Sequence, residues 1–187
     1  YPPAETPRQL RLNEYDAKLT GDLAGFLACY ETHELGREML ATRFEFAHAS
    51  DAYYRKFIET FEPEAEPLPA PSPLNVETDQ VLIEGDLACV ITAQSDIPLN
   101  MVRLDGVWKF DATDLPRELS AKDRLGMETT QAMARVYREM TARMDTIGVT
   151  AEQIETELAQ RASAAREAKL REMGIIPSAG DLPVMGN

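Results

Sequence analysis

Residues 75–111 read NVETDQVLIEGDLACVITAQSDIPLNMVRLDGVWKFD, and this stretch decides the fold. Val76 to Glu84 is strand-like, and Gly85-Asp86 then makes a tight turn. Leu87 to Ser95 is the next strand. Asp96-Ile97-Pro98 breaks it, Leu99 to Leu104 resumes, Asp105-Gly106 turns again, and Val107 to Asp111 closes. Gly accepts the positive φ that two-residue hairpin loops demand, so both turns predict antiparallel hairpins. Alternation assigns Met101, Val107 and Lys109 to one face and Val102, Leu104, Trp108 and Phe110 to the other. A sheet with one wet face must bury the other, and here only helices can cover it.

Helical periodicity flanks the sheet. Leu10, Leu12, Tyr15 and Leu19 predict a first helix over Pro7 to Leu19. Asp22 can cap a second, carrying Leu23, Phe26 and Leu27. A third helical region runs from His33 to Phe61, either continuous or broken near Ala49-Ser50-Asp51. Residues 62–73 hold five prolines in twelve positions and read as an extended spacer between helices and sheet. After the sheet, either Thr113-Asp114 or Ser120 can cap a helix reaching Ile147. Its stripe is Met133, Tyr137, Met140, Met144 and Ile147. Thr150 with Gln153 forms a capping box that opens another helix, stopped by Gly174 and Pro177. The expected organisation is an α+β domain over 7–115, a helical hairpin over 116–174 and an irregular tail over 175–187. N-terminal helices would pack on a curved antiparallel sheet of about four strands.

The chain of 187 residues carries a net charge of -13. The charge is uneven: residues 1–115 hold 9 Lys+Arg against 21 Asp+Glu, whereas 116–173 hold 10 against 10. An acidic front half repels phosphates and argues against a nucleic-acid partner. No apolar run reaches the ~18 residues that a membrane-spanning helix needs. The Pro-rich opening YPPAETP begins at Tyr1, which suggests a removed leader and a periplasmic or secreted home, with the cytoplasm as the alternative. Cys29 and Cys89 are expected as two free thiols. A disulfide between them would strengthen the extracytoplasmic reading.

The succession of helices, the Leu19-Thr20-Gly21-Asp22 break, Gly85-Asp86-Leu87-Ala88-Cys89-Val90 and Met101 to Phe110 with its Asp-Gly-x-Trp-Lys hairpin resemble the nuclear transport factor 2-like superfamily. That is the cone-shaped α+β fold also called cystatin-like. The resemblance covers about residues 7–115. It implies a helix-covered sheet and a short strand between the second and third helices, which the sequence between Tyr30 and Phe61 does not display. The family includes isomerases, cyclases, dehydratases, epoxide hydrolases and ligand-binding modules, so fold alone does not give function.

Enzymes of this fold line the cone with Asp, His or Tyr, whose pKa an apolar cavity adjusts for proton transfer. Candidates here are Tyr15, Asp16, His33, His48, Tyr53, Tyr54 and Asp111, and no catalytic motif joins them. His33 reads as a solvated helix start, and Asp105 and Asp111 as turn residues. Glu45 with His48 is a lone Glu-x-x-His, where di-metal bundles need two such pairs, so neither metal nor cofactor is expected. Met127, Met133, Met140 and Met144 read as core packing before an adaptable groove, and Trp108 as packed beneath the helices. The leading expectation is a non-enzymatic protein that binds a small apolar ligand or a protein partner. The alternative is a lyase, isomerase or hydrolase using an Asp or His in the cone. A homodimer through the Met133–Ile147 stripe is a third expectation.

Overall fold

A computed structural model describes residues 1–65, 74–92 and 95–176. Most of the spacer over 62–73 and most of the tail over 175–187 lie outside the described residues. The protein is α+β, and the described residues form five helices and a five-stranded mixed sheet. The described residues fall into two compact units, 1–44 with 74–118 and 45–65 with 119–176.

The first unit begins with α1 (Pro7–Thr20), which Thr6 caps through Gln9 N and Gly21 ends in the left-handed region at φ 71. Asp22 caps α2 (Leu23–Ala28). Then comes β1 (Tyr30–Glu31), a two-residue strand between the second and third helices. It pairs in parallel with β5 (Val107–Asp111), Tyr30 opposite Phe110, so the expected all-antiparallel sheet of about four strands becomes a mixed sheet of five. Two residues carry no periodicity, and only the distant partner strand makes them a strand.

The hairpins follow the turn chemistry. β2 (Gln80–Glu84) and β3 (Leu87–Thr92) join through Gly85 at φ 61. β4 (Ser95–Leu104) and β5 join through Asp105 at φ 50 and Gly106 at φ 84, the two positive angles of a type I′ turn. Strand order is β1-β5-β4-β3-β2. Three expectations are corrected here. The stretch from Val76 to Asp79 is not strand, for Asp79 N donates to Val76 O in a turn at 3.3 Å. Pro98 does not break the chain but sits inside β4. It falls at the register shift between Val90 and Thr92 and outside the β5-paired segment, Met101 to Leu104, so its missing N–H costs no ladder bond to β5. The face assignment also changes. Leu104 opposes Val107 across a two-residue loop, so parity flips there and Met101 shares its face with Trp108 and Phe110.

That face is the core. Leu10 of α1 packs with Trp108, Phe110, Met101 and Val90, all under a tenth exposed. Each such side chain contributes about 1.5–3 kcal/mol by leaving water. Phe26 stacks between Tyr30 at 5.0 Å and Phe44 at 4.8 Å, fastening α2 to the start of α3 (Glu34–Phe61). Helix α3 runs unbroken through Ala49-Ser50-Asp51, the continuous one of the two alternatives, with Ala49 and Tyr53 burying one face of it there.

The second unit holds the rest of α3, α4 (Ala121–Arg143) and α5 (Ala151–Glu172). Ser120 caps α4, and the Thr150–Gln153 capping box opens α5 as expected. Tyr53, Val136, Met140, Met144 and Ile154 form its core. The methionine stripe is therefore occupied within the unit along Met140 and Met144, while Ile147 lies past the helix end and is fully exposed. Arg161 joins Glu139 at 2.7 Å and Glu157 at 2.6 Å, and Arg143 reaches Glu157 at 3.4 Å. The balanced charge of this region aligns two helices, though exposed pairs add little each.

Candidate functional site

The residues singled out from sequence do not converge. His33 is a cap: its Nδ1 accepts from Gly36 N at 3.1 Å, and its Nε2 lies 2.8 Å from Leu115 O. The carbonyl needs a donor, which places the proton on Nε2. His33 is half-buried rather than solvated. Asp111 is exposed, and its Oδ1 accepts from Thr113 N at 3.1 Å and Thr113 Oγ1 at 2.6 Å, a turn closing the strand. Asp16 and His48 are exposed, and Tyr15 is half-buried on α1. Glu45 pairs with Arg138 at 2.9 Å. Tyr53 and Tyr54 belong to the second unit, where Tyr53 packs 5.3 Å from Tyr137. Among the described residues no group of three His, Cys, Asp or Glu could hold a metal ion. No described helix is long and apolar enough to cross a membrane.

Cys29, Tyr30 and Tyr53 are held in their neutral forms. Burial pushes the Cys29 thiol up to about 11, with Glu14 adding to it. Burial, then the charge of Glu14, raises the Tyr30 phenol far above its usual range. Tyr30 OH donates to Glu14 Oε1 at 2.6 Å, and Lys18 meets the same oxygen at 2.6 Å. That trio clamps α1 to β1. Burial likewise raises Tyr53 to about 12. A thiol and phenols held neutral donate hydrogen bonds but make poor nucleophiles or bases at neutral pH. Cys29 and Cys89 are both free: Cys29 lies in the core and Cys89 on the opposite sheet face.

That opposite face is where the chain offers a site. Leu82 opposes Cys89, and Cys89 opposes Asn100, so the three form one row across β2, β3 and β4. The Met101–Phe110 pair carries the row on to Asp111. The adjacent row runs Glu84, Leu87, Val102 and Lys109. From these rows Leu82, Glu84, Leu87, Cys89, Asn100 and Asp111 line an open cavity of about 680 Å³. Leu82 is 63% and Leu87 60% exposed, so the apolar end is open to water. Asn100 and Asp111 stand at the other end, while the Glu84 carboxylate borders the Leu82–Leu87 end. The face expected to be wet thus carries an apolar strip. Sequence reasoning missed Leu82, Leu87 and Asn100. The signal was present in the unbroken apolar runs VLI and LACVI, which place large side chains on both faces of β2 and β3.

No protein-family model, no curated protein and no solved structure matches this chain.

Proposed function

We propose that the chain is a non-enzymatic binding protein with a nuclear transport factor 2-like domain and a C-terminal helical hairpin. Its ligand-binding surface is the open sheet face. The observation that carries the binding reading is the row Leu82–Cys89–Asn100, apolar at one end and polar at the other, over a cavity of about 680 Å³. Concave, mostly apolar surfaces with a few convergent polar groups are the usual form of small-molecule sites. The chemistry fits a neutral amphiphile, its apolar body on Leu82 and Leu87 and its polar end at Asn100. Support for the family reading is β1, which stands between α2 and α3 where the resemblance expects a short strand. The enzyme reading requires an Asp or His working in an apolar cavity, whereas His33 and Asp111 serve as a cap and a turn. The test is amide NMR titration of the full chain with medium-chain alcohols. Shifts confined to the outer rows of β2, β3 and β4 are expected. Turnover of a small carbonyl, epoxide or ester substrate that disappears in Asp111→Asn or His33→Asn would overturn the reading.

A further inference from the structure

We infer that β2 is a self-pairing edge, on which a second copy of this chain docks through its own β2 to make one continuous sheet. The inference does not depend on the binding reading above. Three observations meet in it.

The first is position. β2 ends the strand order, and no described strand lies beyond it. Leu82 and Ile83 point to opposite faces and are 63% and 57% exposed. The strand contains no Lys or Pro, and its single charge, Glu84, stands at its last position.

The second is the backbone register. Glu84 and Leu87 flank a two-residue loop, and such loops close on a hydrogen-bonded pair. Alternation then turns the N–H and C=O groups of Glu84, Leu82 and Gln80 toward β3. Those of Val81 and Ile83 turn outward, to the open edge. An antiparallel copy centred on Leu82 sets Val81 against Ile83 of the second copy, and the reverse. Both are hydrogen-bonded positions, so the two-fold pairing makes four main-chain hydrogen bonds with no shift in register.

The third is side-chain complementarity in that same register. Leu82 meets its own copy at the two-fold axis, a non-hydrogen-bonded position where side chains approach closely. Val81 meets Ile83 twice, a β-branched pair. Gln80 meets Glu84 twice, an amide donor against a carboxylate, so no like charges face each other in a chain of net charge -13. Centring the pair on Ile83 instead would put Glu84 against Leu82. The side chains thus select the Leu82-centred register from those that the outward-facing Val81 and Ile83 allow. The contact is isologous, each copy using the same β2 edge, so it closes at two copies. A five-residue seam falls in the small, weak class of interfaces, which makes the dimer concentration-dependent.

Sedimentation equilibrium on the full chain tests this, with four variants at exposed positions and circular dichroism as the check on folding. Gln80→Lys sets an ammonium against each Glu84 and is expected to tighten dimerisation roughly fivefold. Gln80→Glu is expected to weaken it by a similar factor, since it sets carboxylate against carboxylate. Leu82→Lys, which brings two ammonium groups together on the axis, leaves monomer. Gln160→Lys on exposed α5 makes the same change in net charge as Gln80→Lys and separates general repulsion from the seam. A second measurement uses Leu82→Cys with Cys89→Ser, which removes the neighbouring thiol. Mild oxidation yields a covalent dimer, and Leu87→Cys with Cys89→Ser does not. A chain that stays monomeric at all concentrations overturns the inference, whether β2 is left bare or covered by another segment of the same chain. So does a dimer indifferent to the Leu82 and Gln80 changes, as one through α4 would be, and so does open-ended association.

Discussion

Arg11 donates from its guanidinium to Asp79 Oδ2, with 9% and 2% of the two side chains exposed. This ion pair fastens α1 to the residue just before β2. Removing one partner of a buried pair strands the other charge in a poor solvent and costs about 3–5 kcal/mol. Asp79→Ala is therefore expected to lower the unfolding free energy by that amount, read in urea as a fall in midpoint of that loss divided by the m-value. Replacing both, Arg11→Met with Asp79→Leu, is expected to restore most of it. A double variant as unstable as the single one would show that the pair's value is positional rather than electrostatic.

The methionine stripe gives a contrast within one helix region. Met140 has no exposure and packs with Ile154, whereas Ile147 is fully exposed. Met140→Ala should cost about 2–5 kcal/mol through lost transfer energy and the cavity left behind. Ile147→Ala should stay within about 0.5 kcal/mol. Chemical denaturation of the two variants side by side checks this.

Much of this architecture is legible in the chain, and the physics says which parts. Gly85, Gly106 and Asp105 announce their hairpins because tight loops impose positive φ locally. Ser120 and Thr150 announce their helices because a cap is a contact three residues long. β1 is illegible because Tyr30 and Glu31 become strand only beside Phe110 and Asp111, some eighty positions away. Pro98 misleads because its tolerance depends on which neighbour strand reaches it. The site is harder still. The apolar runs of β2 and β3 show large side chains on both faces but not which face the helices leave open, so Leu82 and Leu87 are legible as apolar but not as a site, and Asn100 carries no signal of its own.

Cys29 links folding to alkaline pH. Its thiol rises from 9.0 to about 11, chiefly by burial. The folded state thus holds a proton that the unfolded chain releases above pH 9. Stability is complete below pH 9 and falls as pH rises from about 9 to about 11, by roughly 2–3 kcal/mol at about 1.4 kcal/mol per pH unit. Urea unfolding at pH 8 and pH 11 should show the loss, and Cys29→Ala should remove that part of it. At neutral pH a thiol reagent should modify half-exposed Cys89 first and reach Cys29 only on unfolding.

His33 tests the cap. Its Nδ1 takes the Gly36 N–H, one of the amide donors left open at the start of α3. His33→Ala should cost about 1 kcal/mol, and His33→Asn, which retains a side-chain acceptor, distinctly less. Thermal melts of both variants would show the order. Equal losses would point instead to the Leu115 contact as the stabilising element.

The open sheet face is tested most directly by titrating the full chain with Nile red, a neutral apolar dye. Binding is expected at one site. Leu87→Lys should weaken it at least tenfold, through an ammonium placed on the apolar end of the strip, at a position 60% exposed where folding is spared. Tyr54→Lys, also exposed but in the second unit, should leave it unchanged. Dye binding that ignores Leu87→Lys, or that is lost instead in Tyr54→Lys, would contradict the assignment of the binding surface to the row of Leu82, Cys89 and Asn100.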